Sequence, residues 1–380
     1  MKKIKVLHVI NSMENGGMQS YLMTLLRFID KERFQFDFLV YNNNSLYYDE
    51  IKQHGSHIYI CPQNRNKFIK VLNRILYKKK LFHENQYDVI HVHIGTPTLP
   101  YLGVEELLWG PRFRVFHCHC SERKMSVLNR LLVGMCRHIM SRTYTDFIAV
   151  SEQAAKWGFC KRVLQNRQYV YLPDAINVAK FRWNEDAGNA VRATLGIKDK
   201  LVIGNIGRFT NQKNQSFLID LVKNLRSQGI DCCLLLVGEG ILDSQLRARA
   251  VEIGVNDNIF FYGTTKDVTS VLSAMDVFAF PSIFEGLGIV AIEAQANGLN
   301  VVASQFVPEE ARVTDHYVVV PLQDTEKWST TIVALAKQGH EPDFKKIESD
   351  IDRAGYSIAS TIEKLSEFYE NCVQHSSKGT

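Results

Sequence analysis

The chain has 380 residues, 46% of them hydrophobic and 22% charged, with a mean hydropathy of −0.14. That is too long for one core to fill, so two domains are expected. No run reaches the ~18 uninterrupted apolar residues of a membrane span, and the opening Lys2-Lys3-Ile4-Lys5-Val6-Leu7-His8 turns polar too quickly for a secretory leader.

Short apolar runs then alternate with helical periodicity, the pattern of parallel βαβ units. Strands are expected at 4–10, 35–40, 57–60, 88–93, 113–118, 146–150 and 168–171, with 18–29 the clearest helix between them. Pro173, Asp174 and Asn177 interrupt the periodicity within Leu172–Phe181, which reads as the join. Further strands follow at 201–206, 232–237, 258–262, 276–280, 300–303 and 317–320. Helices there are expected at 214–227, 242–253, 267–274, 289–297 and 326–337. A last helix near 357–372 carries an apolar stripe of Ile358, Ile362, Leu365 and Tyr369. Each half reads as a doubly wound α/β sheet, and without a polar linker the two are expected to face each other across a cleft.

The net charge of +5 divides unevenly, with +12 on residues 1–180 and −7 on residues 181–380. A basic first half points to an anionic partner. Nucleic acid is a poor fit, because no aromatic stacking platform accompanies the basic residues. Two basic, amphipathic stretches fit an anionic lipid surface better. One runs from Arg65 through Lys67, Lys70, Arg74 and Lys78 to Lys80; the other interleaves Arg123, Lys124, Arg130, Arg137 and Arg142 with Leu128, Leu131, Leu132 and Met135. A solvated surface is the plain alternative. The eight cysteines show no disulfide spacing and fit reduced thiols in a cytoplasmic protein.

Candidate chemistry gathers where strands end. Residues 281–299 place Glu285 and Glu293 around a Gly286-Leu287-Gly288 turn that opens onto an apolar helix. The unpaired N–H groups at such a helix start suit a phosphate, and the two carboxylates can accept from sugar hydroxyls. Helix-dipole stabilisation or plain surface exposure would explain the same pair. After the strand at 201–206, Gly207-Arg208 and Lys213 supply a guanidinium and an ammonium that can clamp a diphosphate. Gly238 and Glu239, and likewise Tyr262 and Gly263, end strands and could line a base pocket. The Gly16-Gly17 pair after the first strand lets a ligand approach a helix N-terminus, but it is neither a dinucleotide fingerprint nor a Walker loop. His117 and His119 close a strand, and one of them could meet a reacting sugar. His117-Cys118-His119-Cys120 looks zinc-like, yet alternate strand residues face opposite ways, so these four could not close on one ion. No Asp-x-Asp follows a strand, so a metal-bridged diphosphate has no support.

Pro281-Ser282-Ile283-Phe284-Glu285-Gly286-Leu287, with Glu293 eight residues after Glu285 and with Gly207-Arg208 and Lys213 upstream, resembles the retaining glycosyltransferases of family 4. The likeness covers essentially the whole chain. It implies the GT-B fold, with an acceptor-binding domain over 1–175, a donor-binding domain over 176–355, and a helix near 356–375 that packs back on the first. On that likeness the donor is a nucleotide sugar, with UDP expected. The transferred group is a hexose or N-acetylhexosamine, the acceptor is a glycan or lipid-linked sugar, and no metal is required. Arg208 and Lys213 would hold the diphosphate, Glu293 the ribose and Glu285 the transferred sugar. Phe284, Gly286, Leu287, Gly288 and Ile289 would line the donor site, Gly16 and Gly17 would approach the diphosphate from the other domain, and His117 or His119 would lie near the sugar. The chain departs from the family's usual pattern at Gly288 and Asn300, where proline is common, and at Asp174, where asparagine is usual. A nucleotide-sugar epimerase of the same shape and a non-catalytic nucleotide-sugar scaffold are the other readings.

Overall fold

The structure, a computed structural model, describes residues 2–14, 17–42, 47–119, 125–166, 168–339 and 342–374. The chain divides into two compact units, one comprising 1–176 with 355–380 and the other 177–354.

The first unit is built on a parallel sheet of seven strands: β1 (Ile4–Ile10), β2 (Phe34–Val40), β3 (Ile58–Ile60), β4 (Val89–Ile94), β5 (Phe113–Cys118), β6 (Asp146–Ala149) and β7 (Val170–Tyr171). Their order in space is β3-β2-β1-β4-β5-β6-β7. Helices cover both faces, so strand residues are apolar on both sides rather than alternating. Within the helix Gly17–Phe28, Tyr21, Leu22, Leu25 and Leu26 are buried, a stripe at helical spacing that packs with Val6, Ile10, Phe36 and Phe38. The final helix, Ile358–Gln374, returns to this unit and buries Ile358, Leu365 and Tyr369 in the same core. Its entry is fixed by backbone bonds: Ile176 N–H donates to Tyr356 O at 2.9 Å and Ile358 N–H to Ile176 O at 3.0 Å.

The second unit holds β8 (Leu201–Ile206), β9 (Cys232–Val237), β10 (Ile259–Gly263), β11 (Val277–Phe280), β12 (Asn300–Ala303) and β13 (Tyr317–Val319), ordered β10-β9-β8-β11-β12-β13 and all parallel. All six residues of β9 are buried. In both sheets the strand order reverses once, between β1 and β4 in the first and between β8 and β11 in the second. At such a reversal the flanking loops diverge and leave a crevice outside the carboxyl ends of the strands, where ligands of open α/β sheets bind.

Among the described residues, seven cysteines are free thiols and most are buried. No helix among them is long and apolar enough to cross a membrane.

Candidate functional site

The loops after β8 and β11 flank the reversal point of the second sheet, and they carry Arg208, Lys213 and Glu285. The loop after β8 is laced to its neighbour: Gly207 N–H donates to Val237 O at 2.9 Å and Phe209 N–H to Glu239 O at 2.9 Å. This close approach needs glycine at 238, where φ is +133° and a Cβ would lie 2.2 Å from Gly207 O. With Phe209 fully buried as the anchor, Arg208 projects into solvent. Among the described residues Arg208 has no ion pair, so its donors are free for an anion.

Lys213 and Glu285 meet directly. Lys213 Nζ donates to Glu285 Oε1 at 2.7 Å and sits 4.7 Å from the centre of the Phe280 ring, while Gln212 Nε2 donates to Glu285 Oε2 at 3.3 Å. Backbone links hold the two loops in register: Ile283 N–H donates to Gln212 O at 2.9 Å, and Asn214 Nδ2 to Pro281 O at 3.2 Å. Glu285 is only 6% exposed. A buried carboxylate depends strongly on its partner, so an incoming phosphate must share Lys213 with Glu285 rather than find it free. The separate roles expected for the two residues are thus coupled through a contact that their spacing in the chain does not reveal.

The turn after β11 ends in Gly288, the N-cap of the helix Ile289–Asn297. Its φ is +85°, and a Cβ would lie 2.9 Å from Phe280 Cε1. Proline, fixed near φ −65°, is incompatible with this backbone. The departure from the family pattern at 288 is therefore a different way of starting the same helix. One turn in, Glu293 is half-buried and has no ion pair among the described residues. Burial pushes its pKa up to about 7, against the opposing pull of Lys180 and Lys213. Lys180 comes from the join between the units and escaped the sequence reading, since nothing in its local pattern marks it.

The remaining donor candidates lie around this centre. Phe284, Gly286 and Ile289 are half-buried, Leu287 is buried and Glu239 is exposed. Tyr262 is partly exposed, and Gly263, with φ +79°, accepts at its carbonyl from Gly238 N–H at 2.8 Å. Both end β10, two strands from the reversal point.

In the first unit Gly17 begins the helix after β1, whereas Gly16, Cys120, Arg123 and Lys124 lie outside the described residues. His117 is fully buried, so its ring does not reach the surface in this conformation, and His119 is 8% exposed. Cys118 faces the other side of the sheet, where a Cβ on Gly158 would lie 2.6 Å from its Sγ. The histidine face is larger than β5 alone suggests. Strand register sets His8 beside His91 and His93 beside His117. Ring nitrogens make close contacts at His8 Nδ1–His93 Nε2 (3.0 Å), His93 Nδ1–His119 Nε2 (3.0 Å) and His91 Nε2–His117 Nδ1 (3.2 Å). Burial and neighbouring imidazoles hold His91, His93 and His117 well below 6.5, and burial brings His8 to about 3.

The basic stretches resolve differently from their sequence appearance. Helix Lys67–Glu84 uses two of its cations internally: Arg74 Nη2 donates to Glu105 at 2.7 Å, and Lys78, fully buried, donates to Glu106 at 2.5 Å. Its outer face is apolar, with Phe68 88% exposed beside Leu72 and Leu76. Helix Val127–Thr143 presents Val127, Leu128 and Leu131, and helix Val104–Trp109, which packs against both, presents Leu107 and Leu108. Arg137 lies over the Trp157 ring rather than in solvent.

The structure of HepE from Anabaena in complex with UDP-glucose superposes with a TM-score of 0.77, covering 97% of this chain and 100% of that one at 16% identity. Two doubly wound parallel sheets of this order are the GT-B architecture. The model for "Glycosyltransferase Family 4" matches residues 15–179 and that for "Glycosyl transferases group 1" matches residues 200–338, well over half of the chain between them. The chain belongs to the family 4 glycosyltransferases. It is similar to the putative glycosyltransferase EpsF of Bacillus subtilis, at 29% identity over 96% of each chain. It is also similar to the UDP-Gal:alpha-D-GlcNAc-diphosphoundecaprenol alpha-1,3-galactosyltransferase of Escherichia coli, at 20% identity over 98% of each.

Proposed function

We propose that this glycosyltransferase moves a hexose or N-acetylhexosamine from a UDP-sugar to a lipid-diphosphate-linked or glycan acceptor, with retention at the anomeric carbon, during assembly of a bacterial surface polysaccharide. The observation that carries the donor half is the free Arg208 beside the Lys213–Glu285 pair at the sheet reversal, next to a helix N-terminus. Arg208 and Lys213 stabilise the departing diphosphate, the N–H groups opening helix Ile289–Asn297 add fixed dipoles, and no metal is needed there. Glu293 accepts from the ribose hydroxyls. Glu285 accepts from the sugar while it restrains Lys213.

The first unit takes the acceptor at the carboxyl ends of its strands. Its apolar face on helices Lys67–Glu84, Val104–Trp109 and Val127–Thr143 rests on the membrane that holds a lipid-linked acceptor, at the inner face of the plasma membrane. UDP is the favoured nucleotide because HepE was crystallised with UDP-glucose and the E. coli relative is named for UDP-galactose and a diphosphoundecaprenol acceptor.

The test is turnover. Purified protein is incubated with labelled UDP-glucose, UDP-galactose and their N-acetyl counterparts and a synthetic sugar-diphosphate lipid, and the product linkage is read by NMR. The reading expects one donor to be used, with an α-linked product. A β-linked product, or no transfer from any of these UDP-sugars, would refute the corresponding part.

A further inference from the structure

Five imidazoles meet inside the first unit, and their nitrogens fall into two chains. In one, His119 Nε2 stands 3.0 Å from His93 Nδ1, and His93 Nε2 stands 3.0 Å from His8 Nδ1. In the other, Tyr369 Oη stands 2.5 Å from His91 Nδ1, and His91 Nε2 stands 3.2 Å from His117 Nδ1. At such distances each contact holds one proton, because two would collide and none would set lone pairs face to face. Every ring therefore dictates the tautomer of the next. Burial keeps His8, His91, His93 and His117 neutral, so each of these carries a single ring proton.

The ends of each chain decide its direction. Tyr369 is fully buried and its phenol has one hydrogen to place, so it donates to His91 Nδ1. His91 then donates from Nε2 to His117 Nδ1, which leaves the His117 proton on Nε2. The other chain starts at a charge. Asp174, 7% exposed, places Oδ1 3.0 Å from His119 Nδ1. The two are out of line for a full hydrogen bond, but a carboxylate so close favours a proton over a lone pair on the nitrogen it faces. With Nδ1 protonated, His119 accepts at Nε2 from His93 Nδ1–H, and His93 accepts at Nε2 from His8 Nδ1–H. The far end, His8 Nε2, has no partner. A buried lone pair there costs less than a buried N–H, which favours the same direction. The Tyr21 and His117 rings also face His119, at 5.8 and 4.0 Å, and neither brings a charge.

We propose that Asp174 is a positioning residue for sugar transfer: through His119 it sets the proton arrangement and ring orientation of the chain His119–His93–His8 in the first unit. The carboxylate of a Ser-His-Asp triad acts on its imidazole in this way, and its amide substitute loses the tautomer. Both ends of the contact are anchored. His119 N–H donates to Ile94 O at 3.0 Å, and Leu172 and Ala175, either side of Asp174, are buried in the core of the unit. A His119 ring turned over would set C–H groups against both the carboxylate and His93, so the carboxylate selects one rotamer. Asparagine, the residue usual at this position in the family, offers a donor and an acceptor and enforces neither tautomer. With both ring nitrogens engaged, His119 shapes the carboxyl end of β5 rather than donating to the sugar. The link to transfer rests on the acceptor assigned above to that end of the strands; the tautomers do not.

The full chain, with its histidines labelled with nitrogen-15, is read by long-range proton–nitrogen correlation NMR at neutral pH. The result expected is a proton on Nδ1 of His8, His93 and His119 and on Nε2 of His91 and His117. In Asp174→Asn the first three shift together toward the Nε2–H form while the other two stay. Wild-type protein with His8 or His93 protonated at Nε2 would overturn the proposal, as would Asp174→Asn with all three tautomers unchanged. If Asp174→Asn does not fold, the wild-type spectrum and Asp174→Glu, which keeps the carboxylate and the Nδ1–H pattern, decide. Turnover is measured alongside: Asp174→Asn lowers kcat/KM severalfold and alters its pH profile, and Asp174→Glu restores part of the loss. Tautomers that shift while kcat/KM and its pH profile stay the same would overturn the positioning role. Absence of transfer by the wild type would sink the function proposed above and the link to it, while the tautomer pattern stands or falls on its own spectrum.

Discussion

Glu293→Gln separates the cost of a functional carboxylate from its use. Burial raises Glu293 from 4.5 to about 7, so between those values the folded protein holds a proton that the unfolded chain has released. The stability this contributes is complete below pH ~4.5 and is lost as pH rises through ~7. A shift of that size corresponds to an upper bound of ~3 kcal/mol; partial solvent access reduces it to about 1–2 kcal/mol. Glutamine mimics the protonated form, so the variant should gain only a few tenths of a kcal/mol at pH 5 and about 1–2 kcal/mol at pH 8. For a unit of this size that is a rise of ~2–8 °C in the melting midpoint. The assay is a pair of calorimetric scans of variant and wild type at the two pH values. UDP affinity of the variant should fall about tenfold or more at pH 8, as expected on losing charge-assisted hydrogen bonds. An equal stability difference at both pH values would refute the reasoning, because then no titration of Glu293 is involved.

Other consequences are as direct. Gly288→Pro should destabilise the second unit by ~3 kcal/mol or more, since φ +85° is closed to proline; equal stability in urea titration would contradict the turn geometry. Lys78→Met strands Glu106 in the core and should cost ~3–5 kcal/mol by the same measurement. Replacing Phe68, Leu72 and Leu76 together by serine should abolish flotation with both neutral and anionic vesicles, because the exposed surface of that helix is more apolar than basic. Wild-type protein that floats with neither vesicle type would remove the membrane contact.

The strands were legible from their apolar runs, and each expected strand appears within about two residues, because a strand covered on both faces leaves a continuous apolar signature. Helices Lys67–Glu84 and Val127–Thr143 were visible as amphipathic stretches, but which of their cations were solvated was not. Arg74 and Lys78 look like surface residues until Glu105 and Glu106 are placed beside them. The loops after β8 and β11 were legible as residue types at strand ends. Their coupling was not, since Lys213 and Glu285 meet only when β8 and β11 become neighbours. The histidine face shows the same limit most clearly: inspection of β5 alone excludes four ligands on one ion, and only strand register adds His8, His91 and His93 to the face that carries His117 and His119.

The central claim is that Arg208 and Lys213, at the reversal of the second sheet, hold a nucleotide diphosphate without a metal. Calorimetric titration of UDP in the presence of EDTA tests it most directly, with wild type and Arg208→Ala, a substitution at an exposed side chain that leaves the core untouched. The account predicts binding by the wild type under chelation and an affinity at least tenfold weaker in the variant, with an unchanged melting midpoint in the absence of nucleotide. Binding that vanishes with EDTA, or that Arg208→Ala leaves intact, would contradict it.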